Sequence, residues 1–133
     1  MSMLRVKSDL PVETEDLATR VIGCCIDVHR ALGPGLLEKI YARAVCIELD
    51  HAGILYQRER EIPVTYRGEL LCQQRLDIVV ADQIILEIKS VEHINPVHRA
   101  QLTTYLRISK IRLGLLLNFN VAILQDGIKR VAL

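Results

Sequence analysis

From Arg75 to Ser90 the chain reads RLDIVVADQIILEIKS, a run of apolar, strand-forming residues interrupted by Asp77, Glu87 and Lys89. Charges set into such a strand are costly to bury unless they are paired or bind a metal ion. Ala81-Asp82-Gln83 divides the run with turn-forming residues, so the segment is predicted to be a hairpin. A three-residue loop pairs Val80 with Ile84, and counting back places Asp77 opposite Glu87. Opposed residues share a sheet face, and Glu87 and Lys89 share one because side chains alternate along a strand. The spacing therefore predicts two carboxylates and one ammonium converging on one spot. A slip of one residue would destroy the convergence.

Two close carboxylates repel, which raises the pKa of one of them. A hard divalent ion resolves that cost. Magnesium prefers a few carboxylate oxygens and keeps several waters. Such an ion activates water and stabilises charge growing on a phosphate, and Lys89 is placed to orient that water or to offset the phosphate charge. For an isolated Glu-x-Lys, a simple buried ion pair would be the better reading. The opposed Asp77 and the motifs around it favour the metal site.

The rest of the chain frames this hairpin. Leu17, Val21, Ile22, Cys25, Val28 and Leu32 recur at helical spacing, in a helix starting near Thr14 and ended by Gly33-Pro34-Gly35. A second helix is predicted over about residues 36–52, stopped by Gly53. Beyond it, residues 54–60, 62–66, 69–80 and 84–91 read as strands. Asn95-Pro96 opens a helix to about Ser109, and the apolar run 113–119 suits a strand covered on both faces. Residues 121–124 and 128–131 flank Asp126-Gly127 and suggest a closing hairpin. The expected fold class is α/β, a single domain over residues 13–133 with a mixed central sheet flanked by helices, preceded by an arm over residues 1–12.

Asp77 with Glu87-Ile88-Lys89 resembles the signature of PD-(D/E)XK nucleases. The stretch from Gly35 to Tyr41 matches the GxxExxY pattern that names one bacterial and archaeal group of that superfamily. Residues 28–38, 96–106 and 126–130 are similar to the same group. The resemblance implies a restriction-endonuclease-like αβββαβ core. It also implies that Glu38 joins Asp77 and Glu87 at a Mg²⁺ or Mn²⁺ ion, directly or through water. Gln101 and Tyr105, one helical turn apart, match the QxxxY element of RecB-like members, and with Lys89 form the implied catalytic set. Leu76 stands where the superfamily's name implies proline. Tyr41 is read as a packing residue, and His29 as a cap or core contact.

The implied function is Mg²⁺-dependent phosphodiester hydrolysis on DNA or RNA. The alternative is a non-catalytic module that keeps the nuclease fold to bind a protein or nucleic acid. The net charge of +1, from 17 basic and 16 acidic residues, gives no overall field favouring nucleic acid. Phosphate contacts are expected instead from Lys39, Arg43, His98 and Arg99, with Arg107 and Lys110 nearby on helices. One Phe and no Trp leave few rings for base stacking. So small a domain is expected to draw specificity from a second copy or a protein partner. Cys24, Cys25, Cys46 and Cys72 form no CxxC pair and read as reduced thiols in or near the core, which suits a cytoplasmic location. No apolar run is long enough to span a bilayer.

Overall fold

The computed structural model describes residues 8–133. Helix α1 (Val12–Leu32) and helix α2 (Glu38–His51) are followed by strands β1 (Tyr56–Tyr66), β2 (Glu69–Val80) and β3 (Ile84–Lys89). Then come helix α3 (Pro96–Ser109), strand β4 (Leu113–Asn118), a 3₁₀ turn (Leu124–Gly127) and strand β5 (Ile128–Ala132). The five strands form one sheet in the order β1-β2-β3-β4-β5. β3 and β4 run parallel and the other neighbours antiparallel, so the sheet is mixed. The parallel pair is joined by α3, the crossover that a parallel connection requires.

Two cores lie on the two faces of this sheet. Alternate residues Ile78, Val80, Ile84, Leu86, Ile88, Leu113, Leu115 and Leu117 pack against α1 and α2. Val79, Ile85 and Leu116 face Leu102, Tyr105 and Leu106 of α3 on the other side. β3 and β4 are thus covered on both faces, which is why their sequences run nearly unbroken in Ile and Leu.

Several boundaries differ from the sequence reading. Residues 1–7 of the expected arm lie outside the described residues, while Leu10 is buried and α1 already opens at Val12. Residues 54–60 and 62–66 are not two strands. They form the single strand β1, held by pairing with β2 along nearly its whole length. β3 stops at Lys89, two residues short of the expected Val91. Residues 121–124 form no strand, because β4 is already flanked by β3 and by β5. Of the four thiols, Cys24, Cys25 and Cys46 are buried, but Cys72 is exposed on β2.

Gly127 does not serve as the tip of a hairpin. It is buried at the end of the 3₁₀ turn, where an added Cβ would stand 2.2 Å from the backbone oxygen of Asn118. That obstacle is main chain and cannot rotate away. Gly127→Ala is expected to destabilise the domain by about 3 kcal/mol, the upper range for overpacking a rigid site. The check is a fall in the urea midpoint without a change in m-value; an unchanged midpoint would show that the β4 end yields freely.

Candidate metal centre

The GxxExxY segment is a structural lock at the end of β3. The Tyr41 hydroxyl donates to the Gly33 carbonyl at 2.5 Å and accepts from Leu36 N–H at 3.1 Å. Its fully buried ring stacks on Phe119 at 4.5 Å. Tyr41 therefore packs, as expected, and also ties the loop between α1 and α2 to the first turn of α2. That loop is joined to the residue after Lys89: Ser90 Oγ donates to the Leu36 carbonyl at 2.7 Å, and Ser90 N–H donates to Glu38 Oε2 at 3.2 Å. Buried Asn118 holds the following residue, Val91, through both its amide nitrogen and its carbonyl. The backbone beyond Lys89 is thus pinned from two sides, and Glu38 is held beside it.

The hairpin register holds where it was expected to: Val80 pairs with Ile84, across a loop with Ala81 and Asp82 at positive φ. The ladder then ends at Ile78 and Leu86, one step before Asp77 and Glu87. Asp77 does not simply face Glu87. Its Oδ2 accepts from the Ile88 N–H at 2.8 Å, so the carboxylate itself replaces the missing backbone link. The neighbouring ladder breaks at the same level. Arg58 pairs with Ile78 and Arg60 with Leu76, but Glu59, opposite Asp77, has φ of 56° and no partner in the register. A left-handed non-glycine residue costs roughly 1–3 kcal/mol. The face exposed by each strand switches here. Tyr56, Ile78 and Val80 pack on the α1–α2 side, whereas Ile62 and Leu76 belong to the α3 side despite their matching parity. Asp77 therefore sits at a twist between two sheet faces.

On its α2 side, Asp77 lines a cavity of about 210 Å³ with Glu38, Lys39, Ala42, Arg58 and Glu59. Arg58 and Glu59 had no signal in the sequence beyond being charges on a strand. Only the β1–β2 register sets them beside Asp77.

Glu87 is 9% exposed, and its Oε1 has no hydrogen-bond partner among the described residues. Burial pushes its carboxyl up to about 7, and the charge of Asp77 adds to this; the Lys89 ammonium pulls the other way. Asp77 is raised too, by burial first and then by the charges of Glu38 and Glu59, against the Ile88 N–H and Lys89. One ammonium thus faces a buried and a half-buried carboxylate, with Glu38 in electrostatic reach of both.

A sequence model of the PD-(D/E)XK nuclease superfamily matches residues 15–131. The chain belongs to that superfamily. No curated protein and no solved structure matches the chain. Within the matched stretch, Asp77 lies on β2 and Glu87-Ile88-Lys89 on β3. Leu76, in the position of the eponymous proline, is fully buried against the α3 side.

Other residues of this PD-(D/E)XK domain are more dispersed. Tyr105 is buried on α3, and its hydroxyl is raised by burial and by the charges of Glu87 and Asp77. Gln101, one turn earlier, is exposed and makes no side-chain hydrogen bond among the described residues. His98 is engaged in a capping box: its Nδ1 accepts from Asn95 N–H at 3.3 Å while Asn95 Oδ1 accepts from Val97 N–H. His29 is a core contact. Its Nε2 lies 3.2 and 2.9 Å from the carbonyl oxygens of Phe119 and Val121, so that nitrogen carries the proton. Lys39 and Arg43 are exposed on α2 and Arg99 on α3, across the sheet from one another.

The described residues hold no group of three His, Cys, Asp or Glu side chains gathered closely enough to form a metal cage. Glu38 in particular is engaged with Ser90. Magnesium does not need such a cage, because it is commonly held by one or two carboxylates with waters and substrate phosphates completing its shell. The partnerless Glu87 oxygen beside Asp77 fits that smaller requirement.

Proposed function

We propose that this domain is a divalent-metal-dependent nuclease of the GxxExxY group, hydrolysing phosphodiester bonds in DNA or RNA. The observation that carries this reading is the buried Glu87 oxygen beside Asp77 that has no partner among the described residues, with Lys89 as the cation that offsets the pair. Asp77 and Glu87 would hold Mg²⁺ or Mn²⁺, with Glu38 contacting the ion's shell through water. A divalent ion there supplies Lewis-acid stabilisation of phosphate charge and makes water a stronger nucleophile. Lys89, two residues along β3 from Glu87, positions the attacking water or stabilises the developing phosphate charge. Gln101 holds a phosphate oxygen from the α3 side, and the Tyr105 hydroxyl lies at the site's edge. Phosphates flanking the cleaved one meet Lys39 and Arg43 on the α2 side and Arg99 on the α3 side.

No helix among the described residues is long and apolar enough to cross a membrane. The free cysteines, which suit a reducing compartment, support placing the protein in the cytoplasm. A second copy or a protein partner would find Tyr66, Leu70 and Leu71 exposed around the β1–β2 turn.

The test is cleavage of single- and double-stranded DNA and RNA with Mg²⁺ and Mn²⁺, comparing wild type with Asp77→Asn. Asparagine keeps an oxygen to accept from Ile88 N–H, so the fold should survive while activity falls by on the order of 10²-fold or more. Wild-type protein that cleaves none of these substrates, alone or with its partners, would leave the non-catalytic binding module as the better reading.

A further inference from the structure

The cavity beside Asp77 contains more charge than a metal site uses. Three carboxylates line it, from Glu38, Glu59 and Asp77, together with the cations of Lys39 and Arg58. Despite these acidic neighbours, neither Lys39 nor Arg58 forms an ion pair among the described residues, where other arginines do: Arg60 pairs with Asp82 and Arg130 with Glu15. Two cations left unpaired in one cavity are available to an anion. A guanidinium presents a planar fork that matches phosphate oxygens, and an ammonium adds a point charge.

Their placement is specific. Arg58 precedes the left-handed Glu59, at the level where both ladders break, and Lys39 follows Glu38 in the first turn of α2. Asp77 is the shared wall: it lines this cavity, whereas Glu87 and Lys89 do not. A strand whose reacting phosphate sits at Glu87 and Lys89 therefore passes Asp77 and brings an adjoining phosphate into the cavity.

We propose that Lys39 and Arg58 form a subsite for the phosphate next to the one cleaved, opened to anions by the divalent ion. This rests on the nuclease reading and adds the order of binding to it. Three carboxylates against two cations leave the lining at −1, which repels phosphate, and one divalent ion on Asp77 turns it to +1. Metal must then bind before or with nucleic acid, and Glu59 acts as a brake on metal-free binding.

The test is fluorescence anisotropy of labelled single- and double-stranded DNA and RNA oligonucleotides, with Ca²⁺ or with EDTA, across a salt series. Wild type should bind only with the ion. Arg58→Ala and Lys39→Ala should each weaken binding by about tenfold and lower the salt slope by about 0.7–0.9, the value for one phosphate contact. Arg58→Lys should keep the slope. Glu59→Gln should tighten binding several-fold and relax the ion requirement, a gain that loss of structure cannot produce. All three side chains are exposed, and thermal unfolding in the same buffers verifies that each of the four variants is folded. If wild type binds or cleaves while Arg58→Ala and Lys39→Ala match it in affinity and slope, the subsite is wrong and the nuclease reading stands. If wild type neither binds nor cleaves any of the substrates, both fall together.

Discussion

Lys89→Ala is expected to keep the fold and the metal response and to lose phosphodiester cleavage by on the order of 10²-fold or more, the typical cost of removing one preorganised electrostatic contact. The reason lies in where Lys89 sits. It is the last residue of β3, half-buried, and the segment after it is pinned by Ser90 to α2 and by Asn118 to Val91. None of those bonds uses the Lys89 side chain, so truncation removes charge without releasing the backbone. As a cation Lys89 cannot ligate the metal, and its loss should leave the metal-induced rise in melting temperature in place. Turnover by wild type and Lys89→Ala under Mn²⁺, on whichever nucleic acid wild type cleaves, reads the effect. Equal rates would place the chemistry elsewhere on the protein.

In the metal-free protein, Glu87→Gln should produce the largest stability gain of any single change at the site, growing as pH rises from about 4.5 and complete above about 7. The Glu87 carboxyl is raised from 4.5 to about 7 by burial and by Asp77. Between those values the folded state holds a proton that the unfolded chain has released. The stabilising contribution of the neutral acid is complete below about pH 4.5 and is lost as pH rises through about 7. The full shift corresponds to about 3 kcal/mol. Glutamine keeps the shape and carries no charge, so the variant should match wild type near pH 4 and exceed it at pH 8 by up to that amount. Mg²⁺ or Mn²⁺ should recover the difference for wild type alone, because an ion that binds only the folded state stabilises it. Urea unfolding of both proteins from pH 4 to pH 8, with and without Mg²⁺, decides the matter. A difference between them that does not change with pH would mean that Glu87 is not held as a buried acid.

The domain's stability and its proposed chemistry pull against each other at one level of the sheet. There both ladders around Asp77 are broken, Glu59 is held left-handed, and a glutamate is buried with an oxygen unpartnered. A sheet optimised for stability would continue its pairing and fill those positions with apolar residues. A carboxylate oxygen left without a partner beside a second acid is what the proposed cation site would use.

The sequence by itself determined the three helices, most of the strands, their order and the α/β class, because helical and strand periodicity are properties of neighbouring residues, although it split β1 into two strands. It also determined the hairpin register at Val80 and Ile84, since a short loop leaves the chain little choice, and the membership of the PD-(D/E)XK nuclease superfamily. It misjudged residues 121–124, where hydrophobicity suggested a strand but the neighbouring strand β4 was already paired on both sides, with β3 and with β5. The tertiary structure alone decided that the ladder stops at Ile78, that the Asp77 carboxylate bonds to β3 in its place, and that Glu59 and Arg58 join the site from β1. It also decided that His98 is spent on a helix cap, and that Tyr41 locks Gly33 and Leu36 while Ser90 ties Leu36 and Glu38 to the end of β3. Each of these depends on how strands twist past one another and on which distant groups compete for the same hydrogen bond, and neither is encoded in the spacing of residues along the chain.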